Sequence, residues 1–235
     1  MQLKRDLLST LAYFDLFDYP ITGIELYSYL QTSCSYEEFQ SVLKVLSSEN
    51  QVFRLEDFYS LRNDFRLASR RKKGNLRARQ LLKTADRIAG FLACFPFVKG
   101  VAVSGSLSKN FADEHADIDF FLITEKNKLW IARTFMHVFK KLTFLVRKQH
   151  WFCMNYYVSE EGLEIREKNY YTAIEIATLM PLRGSAIFRD FYAQNQWSRM
   201  VLPNHSMKVS HTREISKSFL KVLLEFPFRG PTGEL

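Results

Sequence analysis

A mixed α/β (α+β) fold, a sheet with flanking helices, is predicted by this sequence on three observations. Two short apolar runs, residues 97–103 and 120–123, have the length and composition of buried strands. Apolar residues recur at helical spacing before and after that pair. The composition, 47% apolar with 21 Phe, is that of a chain that buries a core, which excludes disordered and fibrous classes. No apolar run approaches the ~18 residues of a membrane span, and residues 1–9 hold no apolar signal-peptide core. Cys34, Cys94 and Cys153 stand far apart and in no metal-ligand spacing, so a reducing, cytoplasmic setting without a membrane partner is expected.

The elements follow in chain order. Helical spacing runs over 6–17 and stops at Asp18-Tyr19-Pro20, because proline disfavours helix in the residue before it. Thr22 then caps a short helix over 24–30. Ser35 and Glu38 form a Ser-x-x-Glu capping box that opens a third helix through Leu46. Residues 52–55 and 58–61 are β-prone pieces separated by Glu56-Asp57, a two-stranded hairpin. Three helices and a hairpin resemble a winged-helix domain, yet the charge opposes DNA binding. Residues 1–64 hold five basic residues against ten acids, and the start of the third helix offers Tyr36, Glu37 and Glu38. Phosphates require Lys and Arg, so duplex DNA is disfavoured and packing on the chain or a protein partner is expected of this acidic unit.

The net charge of +8 therefore gathers elsewhere: residues 65–83 carry eight basic residues and no acid. A loop broken at Gly74-Asn75 is expected to lead into a helix through Ala85, Ile88 and Leu92. No aromatic residue lies between Phe65 and Phe91, so base stacking is not indicated. A solvated helix face and a phosphate-contacting face both remain open readings of this block.

The chemistry-bearing segment comes next. The strand 97–103 runs directly into Ser104-Gly105-Ser106, and after ten intervening residues comes Asp117-Ile118-Asp119, at the mouth of the second strand. Residues i and i+2 of a strand share a face, so the two carboxylates project together, close enough to share a hard divalent cation. A glycine lets the backbone approach a phosphate closely, and the amides of the following turn can donate to its oxygens. Such a turn and such a pair are components of phosphoryl transfer.

At these residues the sequence resembles the nucleotidyltransferase superfamily that includes DNA polymerase beta, poly(A) polymerases and the antibiotic nucleotidyltransferases. The matching signature is an apolar strand, Gly105-Ser106, the spacer, then Asp117-x-Asp119 in a second apolar strand, and the resemblance spans roughly residues 85–160. It implies the nucleotidyltransferase mixed sheet, with Gly105 and Ser106 at the β- and γ-phosphates of a nucleoside triphosphate. It implies Mg²⁺ (or Mn²⁺) at Asp117 and Asp119, a hydroxyl acceptor, and pyrophosphate as the leaving group. Lys109 is a candidate phosphate contact on spacing alone, and Asp113, Glu114 and His115 lie in the spacer.

One departure limits this. Active members supply a third carboxylate from a later strand, here residues 150–158 after a helix over 127–145, and that strand contains no acid. Asn155 is its central polar residue, able to ligate a cation but not to act as a base. Glu160, Glu161 and Glu164 follow and could substitute if the strand runs longer. A catalytically idle nucleotide-binding or scaffold protein of the same fold is therefore the alternative.

The remainder reads as helices at 170–180, 185–200 and 212–225, with Tyr170, Tyr171, Glu175 and Arg183 able to face a cleft although core packing suits the tyrosines better. His205 and His211 lack metal-partner spacing and are expected at the surface. The expected organisation is thus a winged-helix-like unit at 1–64, a basic linking helix at 65–93, the core at 94–165 and a helical C-terminal addition at 166–235.

Overall fold

The computed structural model describes residues 1–144, 153–206, 212–215 and 219–228. Its elements in chain order are α1 (Gln2–Asp15), β1 (Ile21–Thr22), α2 (Gly23–Ser28), α3 (Tyr36–Ser48), β2 (Phe53–Leu55), β3 (Phe58–Ser60) and α4 (Phe65–Leu92). They continue with β4 (Val98–Val103), α5 (Gly105–Ser108), β5 (Asp119–Thr124), α6 (Leu129–Phe144) and β6 (Cys153–Ser159). Last come α7 (Tyr170–Thr178), β7 (Met180–Arg183), α8 (Ser185–Gln194), α9 (Trp197–Val201) and α10 (Phe219–Glu225). The protein is mixed α/β with two sheets, ordered β1-β3-β2 and β6-β5-β4-β7. Among the described residues no helix is long and apolar enough to cross a membrane. The chain divides into two compact units, Met1–Leu76 with Glu167–Ala177 and Gln196–Met207, and Arg77–Arg166 with Thr178–Asn195 and Lys208–Leu235.

In the first unit both helix starts are set by reciprocal capping. Thr22 and Ser35 each accept from the backbone three residues on, and Glu25 and Glu38 each reach back to the cap amide. The hairpin β2-β3 gains a third, antiparallel strand, β1, with Ile21 opposite Tyr59 and Thr22 opposite Phe58. Two residues are too few to show a strand period, so β1 has no sequence signal of its own. Leu7, Leu11, Phe14, Leu26, Phe39 and Leu46 fill the core.

The expected loop around Gly74-Asn75 is instead continuous helix, since α4 runs 28 residues through it. An interior glycine costs a helix about 1 kcal/mol, and tertiary contacts outweigh it here. Arg71 is 2% exposed, donates from Nε to Asn75 Oδ1 at 2.9 Å, pairs with Glu25 at 2.8 Å and stacks 3.6 Å above the Tyr19 ring. Asn75 is thus consumed as a hydrogen-bond acceptor within the helix, not as a turn former. Several other members of the basic block are likewise spent on structure: Arg70 donates to the carbonyl of Asp18, and Lys72 pairs with Glu56.

The histidine expected at the surface, His205, is half-buried, its ring parallel to Tyr29 at 6.1 Å, and burial holds its pKa down. The neighbouring Asn204 clamps the loop between α2 and α3, donating to the Thr32 carbonyl and accepting from the Cys34 amide. His211 lies outside the described residues. Tyr170 is a packing residue of this unit, its hydroxyl bonded to Thr10 and to the Tyr29 carbonyl.

In the second unit β5 pairs antiparallel with β4 and parallel with β6, and β7 forms an edge beside β4. One face of the sheet packs Phe120 and Leu122 with Ala85, Ala89 and Leu92 of α4 and Met136 of α6. On the other, Phe121 meets Phe188 and Phe191 of α8. The helix expected over 170–180 ends at Thr178 and yields to β7, which contains Pro181; an edge strand is where a residue without an amide donor is tolerated. Arg183 pairs with Asp86 at 2.6 Å and donates to the Asp86 carbonyl.

The helix expected over 185–200 breaks into α8 and α9 at Asn195. That buried side chain donates to the Leu163 carbonyl and accepts from the Ile165 amide. Of the helix expected over 212–225, α10 spans Phe219–Glu225, whereas Arg213 bridges Arg183 and its carbonyl accepts from the Gly184 amide; residues 216–218 lie outside the described residues. Residues 145–152, within which the expected third-acid strand begins, lie outside the described residues.

Candidate active site

The site forms where β4 ends and β5 begins. The Ser104 amide donates to the Asp119 carbonyl at 2.9 Å, which ties the end of one strand to the start of the next. Gly105 follows with φ +66, a left-handed conformation that side chains resist. A Cβ built there would stand 2.5 Å from Asp119 Oδ2, so the position requires glycine both for its backbone and for its neighbour.

The single turn α5 is closed by its own polar groups. Ser108 Oγ donates to the Gly105 carbonyl at 2.8 Å and Lys109 Nζ to the same oxygen at 3.2 Å, while the Ser106 carbonyl accepts from the amides of Lys109 and Phe111. Lys109 thus braces the turn, and Ser106 is exposed at its outer side.

Asp119 opens β5, and Asp117 lies two residues ahead of it, outside the strand. Ile118 and Phe120, which alternate with them, are fully buried in the core beneath, while both carboxylate residues are half-buried. In the spacer, Glu114 is held by Arg77 at 2.5 Å, which gives one member of the basic block a contact at the rim of this loop; His115 is exposed.

The third position is occupied by an amide. β5 and β6 run in register from Asp119 opposite Cys153 to Phe120 opposite Met154, and then Phe121 opposes Tyr156, leaving Asn155 as the extra residue of a bulge. The bulge turns Asn155 toward Asp119: its Nδ2 donates to Asp119 Oδ1 at 2.5 Å. Its Oδ1 accepts from the Cys153 thiol at 2.9 Å. Asn155 thus presents its amide nitrogen to the carboxylate and its oxygen, the atom able to ligate a cation, to the thiol. Burial chiefly pushes the Cys153 thiol up; Lys140 opposes, and the Asp119 and Asp117 carboxylates reinforce it. Cys153 is the site residue that sequence reasoning missed. Its signal was the spacing Cys153-x-Asn155, two residues of one strand face.

The glutamates considered as substitutes lie at the other end of the strands. Thr124 pairs with Ser159, and beyond that pair Glu160 accepts from the Lys126 amide while Glu161 pairs with Lys126 at 2.6 Å. Five residues of strand, about 16 Å, separate Asp119 from Thr124, so neither acid completes the pair. Glu164 is exposed, between Leu163 and Ile165, which Asn195 holds in place.

Among the described residues no three His, Cys, Asp or Glu side chains form a metal-binding group. Two carboxylates beside a close-approach glycine nevertheless fit Mg²⁺, which is commonly held by one or two carboxylates and completed by substrate phosphates. Comparisons of the chain with protein-family models, with curated proteins and with solved structures find no significant match.

Proposed function

We propose that this protein binds a nucleoside triphosphate with Mg²⁺ and transfers its nucleoside monophosphate to a hydroxyl acceptor, releasing pyrophosphate, as nucleotidyltransferases do. The observation that carries the reading is Gly105 in its left-handed conformation against Asp119, with Asp117 two residues before it. Gly105 and Ser106 would admit the β- and γ-phosphates to the backbone at the end of β4, and Asp117 and Asp119 would hold the cation. Bound there, Mg²⁺ supplies charge neutralisation for the α-phosphate and the pyrophosphate leaving group. Lys109, by donating to the Gly105 carbonyl, would brace the turn against which the phosphates lie.

A second reading, an idle nucleotide-binding module, is favoured by one contact: an amide, not a carboxylate, meets Asp119 from β6. An amide cannot take a proton from an acceptor hydroxyl. In either reading residues 1–64 form a winged-helix-like module whose excess of acids suits a protein partner better than a duplex, and the setting is cytoplasmic.

The two readings part on one assay. Incubation with labelled nucleoside triphosphates, Mg²⁺ and a panel of hydroxyl acceptors should release pyrophosphate, and an Asp117→Ala/Asp119→Ala variant should lose that release by at least ~100-fold. Tight nucleotide binding with equal, background release in both proteins would favour the idle module.

A further inference from the structure

We propose that Cys153 is a positioning residue: it fixes which end of the Asn155 amide meets Asp119 and so sets how readily the carboxylate pair accepts a cation. The proposal rests on reading Asp117 and Asp119 as a cation site. An amide side chain has a donor end and an acceptor end of nearly equal shape, and only its partners decide which way it faces. Here the partners are unequal. The register sets Cys153 opposite Asp119, and the bulge brings Asn155 to the same face. The thiol donates to Oδ1 at 2.9 Å and also meets the Asp119 carboxylate, and Nδ2 donates to Asp119 Oδ1 at 2.5 Å.

Two consequences follow from this orientation. The amide nitrogen occupies the Asp119 oxygen that a shared cation would approach, so it competes with the metal. The amide oxygen, the only atom of Asn155 able to ligate, is turned toward sulfur. For Asn155 to become a ligand its amide must rotate by half a turn and give up the thiol bond. Cys153 therefore tunes the site toward a cation brought in by a triphosphate and away from one bound alone.

The test is Mn²⁺ titration of the full chain, followed by the electron paramagnetic resonance signal of the free ion, with the Asn155 side-chain amide observed in parallel by ¹⁵N NMR. Cys153→Ala frees the amide to rotate and should tighten Mn²⁺ binding about fivefold, the equivalent of one net hydrogen bond. Its Asn155 amide resonance should leave the carboxylate-bonded position when Mg²⁺ is added. Cys153→Ser retains a donor and should behave as the parent protein in both measurements. Equal affinities for Cys153→Ala and the parent, with binding lost in Asp119→Ala, would overturn the positioning role and leave the cation site standing. A Cys153→Ser variant that tightens like Cys153→Ala would overturn it as well, since the donor would then be irrelevant. Identical titrations of Asp119→Ala and the parent would overturn the cation site and this inference with it.

Discussion

Gly105→Ala is expected to abolish nucleotide binding while leaving the first unit folded. Two costs combine at this position. A side chain in the left-handed region costs roughly 1–2 kcal/mol, and the new Cβ would lie 2.5 Å from Asp119 Oδ2. The strain can be relieved by moving Asp119, whose backbone is tied to Ser104 and whose other oxygen is held by Asn155. Moving it displaces one of the two proposed cation ligands, and misplacements of about 1 Å at such sites cost on the order of 100-fold. Calorimetric titration with a non-hydrolysable nucleoside triphosphate and Mg²⁺ measures the loss. Circular dichroism checks that the fold survives. Retained affinity in a folded Gly105→Ala protein would mean that the turn is not part of a nucleotide site.

Arg71→Ala is expected to destabilise the first unit by about 3 kcal/mol, the lower end of the range for breaking a buried ion pair. The lower end applies because Glu25 is one-quarter exposed and can recruit water, whereas Arg71 is almost fully buried. The guanidinium also covers the Tyr19 ring and is bonded to Asn75 within α4, so truncation leaves a void and an unpartnered amide together. Burial, reinforced by the Glu25 charge, keeps the Tyr19 hydroxyl protonated well above its ordinary range, and Arg71 is the cation that opposes this. Urea unfolding followed by far-ultraviolet dichroism reads the effect. Arg71→Lys should recover only part of it, because an ammonium cannot reproduce the planar stack and fork. A loss within about 0.5 kcal/mol of zero for Arg71→Ala would show that the helix through Gly74 is held by other contacts.

The way this chain folds was legible wherever a residue's local chemistry decides its conformation. Ser35 and Glu38 announced the start of α3 because the capping box is a short-range exchange of hydrogen bonds, and both bonds are present. The strand pair β4-β5 was legible from apolar runs, and the burial of Ile118 and Phe120 beside half-buried Asp117 and Asp119 from their alternation. What escaped was decided at long range. Gly74-Asn75 looks like a break until Glu25 and Tyr19, some fifty residues earlier in the chain, are seen to hold Arg71. Pro181 looks like a helix stop, and it became a strand because the edge of β4 was open to it.

The site shows the same division. The carboxylate pair and the glycine were readable from spacing, whereas the orientation of Asn155 was not, since it depends on a bulge that no single-strand pattern reveals. The positive charge at residues 65–83 changed meaning most. Arg71 is a core residue, Arg70 and Lys72 brace the first unit, and Arg77 holds Glu114 of the spacer.

Titration of a non-hydrolysable nucleoside triphosphate into the protein with Mg²⁺, with chelator in its place, and into Asp117→Ala/Asp119→Ala with Mg²⁺ tests the central claim most directly. The claim predicts saturable binding that needs Mg²⁺ and falls by at least ~100-fold in the double variant, because the carboxylate pair and the phosphates complete one another's coordination. Binding of equal strength in all three titrations, or no binding with Mg²⁺ present, would contradict it.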